Sequence, residues 1–264
     1  MKKIICLFLV SFLFNCTFTQ NFDKDGNIID LSGLSYTENI IKDFAFKDNT
    51  LVFMDFDSGR KENSYVIKSY DFIYSNINNL TFLLLDNKES LLCLANEDMC
   101  ILYDKNSNNP LCIGTHFTEL QSFLRKENIT ASSELIEGKT VYGAGNLANL
   151  ALSSPWVEAS KGYGIGDYII FEPNCSHLYF LNGYVSFEKP YLYTANSRVK
   201  KIKLSFLDAP DQQPMIVEIK DTPNPQKISF GFRSKGKIKM EILEVYPGEK
   251  YQDTCINGII LKIY

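Results

Sequence analysis

Paired carboxylates are what glycoside hydrolysis requires, one as acid and the other as base or nucleophile. The chain offers Asp55 with Asp57, and Glu97 with Asp98. Both pairs fall on or beside short apolar runs and turn formers, where solvent-facing acids are ordinary, so they assign no catalysis. His116 and His177 are the only histidines among 264 residues. They lie far apart, and neither is framed by a Ser-His-Asp or Cys-His arrangement or by the paired-histidine helix of a zinc protease. Cys93, Cys100, Cys112, Cys175 and Cys255 show no C-x-x-C spacing, which argues against a zinc ribbon. Glycines occupy every second position from Gly162 to Gly166 within "PWVEASKGYGIGDYIIFE". A phosphate cradle needs a helix after its glycines, so that the helix N-terminus meets the anion. Here the β formers Tyr168, Ile169, Ile170 and Phe171 follow, and no Gly-Lys-Ser/Thr is present. The glycines instead predict a tight exposed loop leading into a strand. On these residues the expectation is no enzyme, no metal and no cofactor.

The elements that must hold such a site read as mainly β. With 45% apolar residues, the chain can bury one large core or two modest ones. A net charge of -4 and a pI of about 5.4 give no global attraction for nucleic acid. Residues 1–20 read as a secretory signal, with Lys2 and Lys3 before an apolar run over 4–14. That run is about half the ~20 residues of a membrane span. Leu13 stands three places before Cys16, as in a bacterial lipoprotein signal, whereas Asn15 departs from the usual small residue. The expectation is a chain exported and held on a bacterial membrane or cell surface by lipidated Cys16, since two acyl chains anchor stably. The alternative is a plain signal cleaved near Gln20. Export permits disulfides. An odd number of cysteines after the signal leaves at least one thiol unpaired or paired between chains, and buried free thiols are the other reading.

Residues 21–112 read as a tether followed by a small antiparallel β domain. Short runs at 51–56, 64–67, 80–85, 91–94 and 100–103 are separated by turn formers. Such spacing excludes parallel crossovers. Residues 113–129 read as a linker with a short helix, "FTELQSFLRK", where Phe117, Leu120, Phe123 and Leu124 recur at helical spacing. "GNLANLAL" is a second short helix or a turn. Residues 130–264 return to short strands, and in "KGKIKMEILEV" Ile238, Met240 and Ile242 share one face while Lys239, Glu241 and Leu243 share the other. Many short strands separated by turns predict a sandwich or barrel.

Four segments of this second half carry a resemblance in their order and spacing. They are "PWVEASKGYGIGDYIIFE", "LNGY" at 181–184, "NSRVKKIKLSF" at 196–206 and "EVYPGEKYQDTCI" at 244–256. Together they resemble the NADase-type glycan-binding domain, a discoidin-like, galactose-binding-like module similar to the translocation domain of a streptococcal NAD glycohydrolase. The resemblance implies a C-terminal jelly-roll β-sandwich that binds glycan without catalysis. Ala159 departs from a glycine common in the family. Asn257-Gly258 stands where an acidic residue is usual, a position that in such folds helps hold a structural calcium, so no metal ligands are assigned.

Ligand contacts are expected at the loop ends of the sandwich. Trp156, Tyr184 and Tyr246 are the candidates for stacking. Glu158, Asn182, Arg198 and Asp253 are the candidates for hydrogen bonds to hydroxyls. Five of the seven have a structural alternative: Trp156 and Tyr246 in the core, Asn182-Gly183 as a turn, Arg198 paired with Asp253. The functional expectation is a surface protein that binds glycan. One alternative is an envelope assembly protein that uses the module for a protein partner, and the other is a hydrolase with a catalytic N-terminal domain.

Overall fold

The computed structural model describes residues 21–39, 42–57, 64–115 and 121–262. The signal with Cys16, and His116, lie outside the described residues. The first half is a closed barrel of eight antiparallel strands in sequence order: β1 (Ser35–Asn39), β2 (Lys42–Lys47), β3 (Thr50–Asp57), β4 (Ser64–Ile77), β5 (Leu80–Leu85), β6 (Ser90–Ala95), β7 (Met99–Asp104) and β8 (Cys112–Thr115). Pairing of Thr37 with Thr115 closes β1 on β8. The polar clusters supply the turns. Asn78 and Asn79 take φ values of 50° and 65° in the two-residue loop between β4 and β5, the conformation Asn tolerates best among residues with a side chain. Asn96 Oδ1 accepts from the backbone N–H groups of Asp98 and Met99 and holds the β6–β7 turn.

An eight-stranded barrel is just wide enough for side chains to fill it. Tyr36, Phe44, Phe46, Leu51, Phe72, Cys93, Cys100 and Leu102 belong to that filling. Gly114 on β8 faces it closely: an added Cβ would collide with the Phe44 ring and stand 2.6 Å from Tyr36 Cβ. Gly114→Ala is therefore expected to destabilise the barrel by about 1–3 kcal/mol, read as a lower denaturant midpoint with unchanged m-value.

Strands β6 and β7, "SLLCLA" and "MCILYD", are buried on both faces. Continuous apolar runs have this meaning, because alternation survives only where one face meets water. One face fills the barrel. On the other, Leu92, Leu94, Met99, Ile101 and Tyr103 share a core with Leu150, Tyr179, Leu181, Tyr193 and Ile260 of the second half. Polar contacts fasten the same seam: Tyr103 OH donates to Leu150 O at 2.8 Å, Asn96 Nδ2 to Pro225 O at 2.8 Å, and Asp98 pairs with Lys227 at 2.8 Å.

The second half is the jelly-roll sandwich. Its strands are β9 (Gln121–Phe123), β10 (Thr130–Ala131), β11 (Leu135–Glu137), β12 (Thr140–Tyr142), β13 (Trp156–Val157), β14 (Tyr168–Phe171), β15 (Cys175–Asn182), β16 (Ser197–Phe206), β17 (Met215–Glu218), β18 (Gln226–Ser234), β19 (Ile238–Tyr246) and β20 (Thr254–Lys262), with a single-turn helix α1 (Leu192–Ala195). The main order is β10-β14-β19-β16-β20-β15-β18, with β9 and β13 on β20, β17 on β16, and β11–β12 as a separate hairpin. The alternation read in β19 holds, with Ile238, Met240 and Ile242 buried and Lys239, Glu241 and Leu243 half-exposed.

One expectation is corrected. No helix forms in the described part of the segment 117–126; residues 117–120 lie outside the described residues. Gln121–Phe123 is strand β9, which pairs with Ile260–Lys262, and only a 3-10 turn, Lys126–Asn128, follows. A few residues at helical spacing carry little intrinsic helical preference, and an available sheet partner outweighs it. The expected linker is thereby divided, with Cys112–Thr115 closing the barrel and Gln121–Phe123 joining the sandwich. "GNLANLAL" forms a 3-10 helix over Ala144–Ala148 with Leu147 buried in the sandwich core.

Candidate functional site

The antiparallel register brings the start of β14, β16 and β20 and the close of β13, β15, β17 and β19 to one end of the sandwich. Five connections therefore gather there: the β11–β12 hairpin with its flanks, the glycine loop before β14, and the segments 183–196, 219–225 and 247–253. All seven residues chosen from the sequence sit at this end. Arg198 pairs with Tyr246 across β16–β19 and with Cys255 across β16–β20, while Asn182 pairs with Ile256 and Trp156 with Ile256 on the other side of β20.

They divide into scaffold and surface. Trp156 is 0% exposed, packs in the sandwich core, and donates from Nε1 to Ser133 O at 3.0 Å. This corrects the stacking role, because a ring with no solvent-facing surface cannot receive a sugar. Glu158 is also 0% exposed; Oε1 accepts from Thr254 N at 3.0 Å and Oε2 from Ser160 N at 2.7 Å. Burial raises its carboxyl above the ordinary range against those two hydrogen bonds, and nearby Asp167 and Asp253 add to the rise. Gly162, Gly164 and Gly166 take φ values of 94°, 65° and 92°. An added Cβ at Gly164 would stand 2.6 Å from Glu158 Cδ, so the loop folds over this carboxylate. The glycines permit that wrapping, and the loop leads into strand β14, as the sequence predicts.

Asn182 is buried, with Nδ2 donating to Val199 O at 2.8 Å and Oδ1 accepting from Val199 N at 2.9 Å. Arg198, 7% exposed, pairs with Asp221 and not with Asp253. Its Nη1 group also reaches the carbonyls of Thr194, Asn196 and Pro247. Trp156 and three of the four residues expected to meet hydroxyls, Glu158, Asn182 and Arg198, are thus committed to partners within the protein. Tyr246 is half-buried and donates to Ile219 O at 3.0 Å.

Tyr184 and Asp253 face outward in part. Asp253 accepts through its backbone carbonyl from Ser197 N; among the described residues its carboxylate takes no hydrogen bond or ion pair. Tyr184 OH donates to Ser153 O at 3.1 Å, and its ring lies 6.2 Å from that of Tyr142, tilted by 60°. Burial, then the Tyr142 hydroxyl and more distantly Glu137, hold the Tyr184 phenol well above its usual range. Both rings are half-exposed. Tyr142 escaped the sequence reading because a lone Tyr in a three-residue strand carries no pattern. Only the pairing of Leu135 with Tyr142 brings it to this end. Tyr251, 36% exposed with the Lys250 ammonium 4.9 Å over its ring, belongs to the same loop cluster and was likewise missed.

A cleft of about 930 Å³ runs along the seam between barrel and sandwich. Phe22, Asp98, Glu218, Lys220 and Lys227 line it, and none of the seven residues does.

Among the curated proteins no relative matches. Solved structures similar to the chain include the CBM32 of AlyQ in complex with 4,5-unsaturated mannuronic acid, at 15% identity and a TM-score of 0.35, covering 54% of this chain and 97% of that one. Another is the arabinofuranosyltransferase AftD from Mycobacteria, at 13% identity and a TM-score of 0.36, covering 55% of this chain and 11% of that one. Residues 122–262, just over half of the chain, match the model of a family whose extent coincides with the sandwich from β9 to β20. The chain belongs to the NAD glycohydrolase translocation F5/8 type C domain family.

Proposed function

We propose that this is an exported, lipid-anchored surface protein whose sandwich binds carbohydrate without catalysis. The observation that carries the reading is the half-exposed Tyr142–Tyr184 pair at the loop end of an F5/8 type C sandwich. Aromatic rings offer a flat apolar surface to the C–H face of a sugar, and the Asp253 carboxylate is available to accept from its hydroxyls. Trp156, Glu158, Asn182 and Arg198 hold the loops that carry these groups. The N-terminal reading rests on the charged and apolar pattern of residues 1–20 and on Leu13 before Cys16. Metabolic labelling with a fatty acid tests it: label is expected in the wild type and absent from Cys16→Ser.

A screen of the protein against immobilised glycans tests the binding function. Saturable binding that free sugar competes away is the expected result. A second reading, envelope assembly through a protein partner, is favoured by aliphatic side chains on the outside of the barrel. Ile73 and its cross-strand neighbour Leu84 are 65% and 37% exposed. That reading predicts retention on a protein partner that free sugar does not relieve, sensitive to Ile73→Ser and indifferent to Tyr184→Ala.

A further inference from the structure

Three of the five cysteines of the described residues, Cys93, Cys100 and Cys112, line the barrel interior on the adjacent strands β6, β7 and β8. Cys93 stands opposite Leu102, and Cys100 opposite Ala95, one diagonal step away. Their Sγ atoms are 3.7 Å apart, both residues are 0% exposed, and neither is in a disulfide. A disulfide holds its sulfurs at about 2.05 Å, so closing the contact asks for a small movement on a hairpin already paired. We propose that Cys93 and Cys100 are a disulfide site that cross-links the β6–β7 hairpin as the chain folds in an oxidising compartment.

The oxidant is a disulfide, either that of a thiol oxidoreductase or glutathione disulfide. One cysteine loses its proton and attacks this disulfide; a mixed disulfide forms and one oxidant thiolate leaves. The second cysteine loses its proton and attacks the protein sulfur of the mixed disulfide, and the second oxidant thiolate leaves. The two cysteines lose two protons and two electrons, and the oxidant becomes a pair of thiols. Burial pushes the Cys100 thiol well above its ordinary range, so attack on the folded barrel is slow and the exchange belongs to the folding chain. The hairpin so fixed carries Asn96 and Asp98, which reach Pro225 and Lys227 of the sandwich.

The test uses the full chain, unfolded and then refolded with glutathione disulfide or with dithiothreitol, followed by alkylation in denaturant and peptide mapping. It does not depend on export. The expected result under oxidising conditions is a peptide linking Cys93 to Cys100 and a Tm about 5 °C above that of the reduced protein. Cys112→Ala is expected to keep the cross-link and Cys93→Ala to abolish it. Full alkylation of Cys93 and Cys100 in protein refolded oxidatively to a native circular-dichroism spectrum would overturn the proposal. So would a cross-link routed through Cys112.

Discussion

Arg198→Ala is expected to lower the stability of the sandwich by about 2–4 kcal/mol, measured by denaturant titration. Arg198 makes a two-pronged contact with Asp221, Nε to Oδ1 at 3.0 Å and Nη2 to Oδ2 at 2.7 Å. Nη1 holds the carbonyls of Asn196 at 2.9 Å and Pro247 at 3.2 Å. Tyr193 lies beneath the guanidinium at 5.6 Å and donates to the same carboxylate. One side chain thus ties the 183–196, 219–225 and 247–253 segments together. Removing one partner of a buried pair costs about 3–5 kcal/mol because the other charge is left uncompensated. Asp221 is 29% exposed, so water recovers part of that loss and sets the lower figure. Arg198→Lys is expected to fall between, since an ammonium cannot satisfy a carboxylate and two carbonyls with the geometry of a planar fork. Equal stability of Arg198→Ala and wild type would show that the three segments are held by backbone contacts alone.

Trp156→Ala is expected to cost about 3–5 kcal/mol, the usual range for deleting a buried Trp side chain. The ring packs in the core with Leu147 and Ile256, and its indole N–H is the partner of Ser133 O. Trp156→Phe is expected to keep most of the packing and lose about 1 kcal/mol from the orphaned carbonyl. Because Trp156 is the only tryptophan, its fluorescence reports this environment directly. Emission from an apolar site, protected from acrylamide and unmoved by ligand, is the expected signature. Quenching by a bound sugar would return the ring to the surface and restore the stacking role.

The sequence carried the β character because turn formers punctuate apolar runs too short for helices. It carried the end of the sandwich proposed as the site, since all seven chosen residues gather there. Their individual roles were less legible. Solvent exposure depends on what the 132–133 and 158–167 segments cover, and nothing local to Trp156 or Glu158 encodes that. Arg198 has carboxylates in two neighbouring segments, Asp221 and Asp253, and sequence distance does not choose between them. The pairing of Thr37 with Thr115 that closes the barrel links strands nearly eighty residues apart. The strand at Gln121–Phe123 exists because β20 has an edge to offer, a tertiary fact that outweighs a helical spacing.

The most direct test of the central claim is glycan binding by three proteins side by side: wild type, Tyr142→Ala and Tyr184→Ala, each with its melting temperature measured. Saturable binding by the wild type is expected, with a loss of about tenfold or more in affinity for each variant and with the barrel and sandwich still folded. Undiminished binding by both variants, or a folded wild type that retains no glycan, would contradict it.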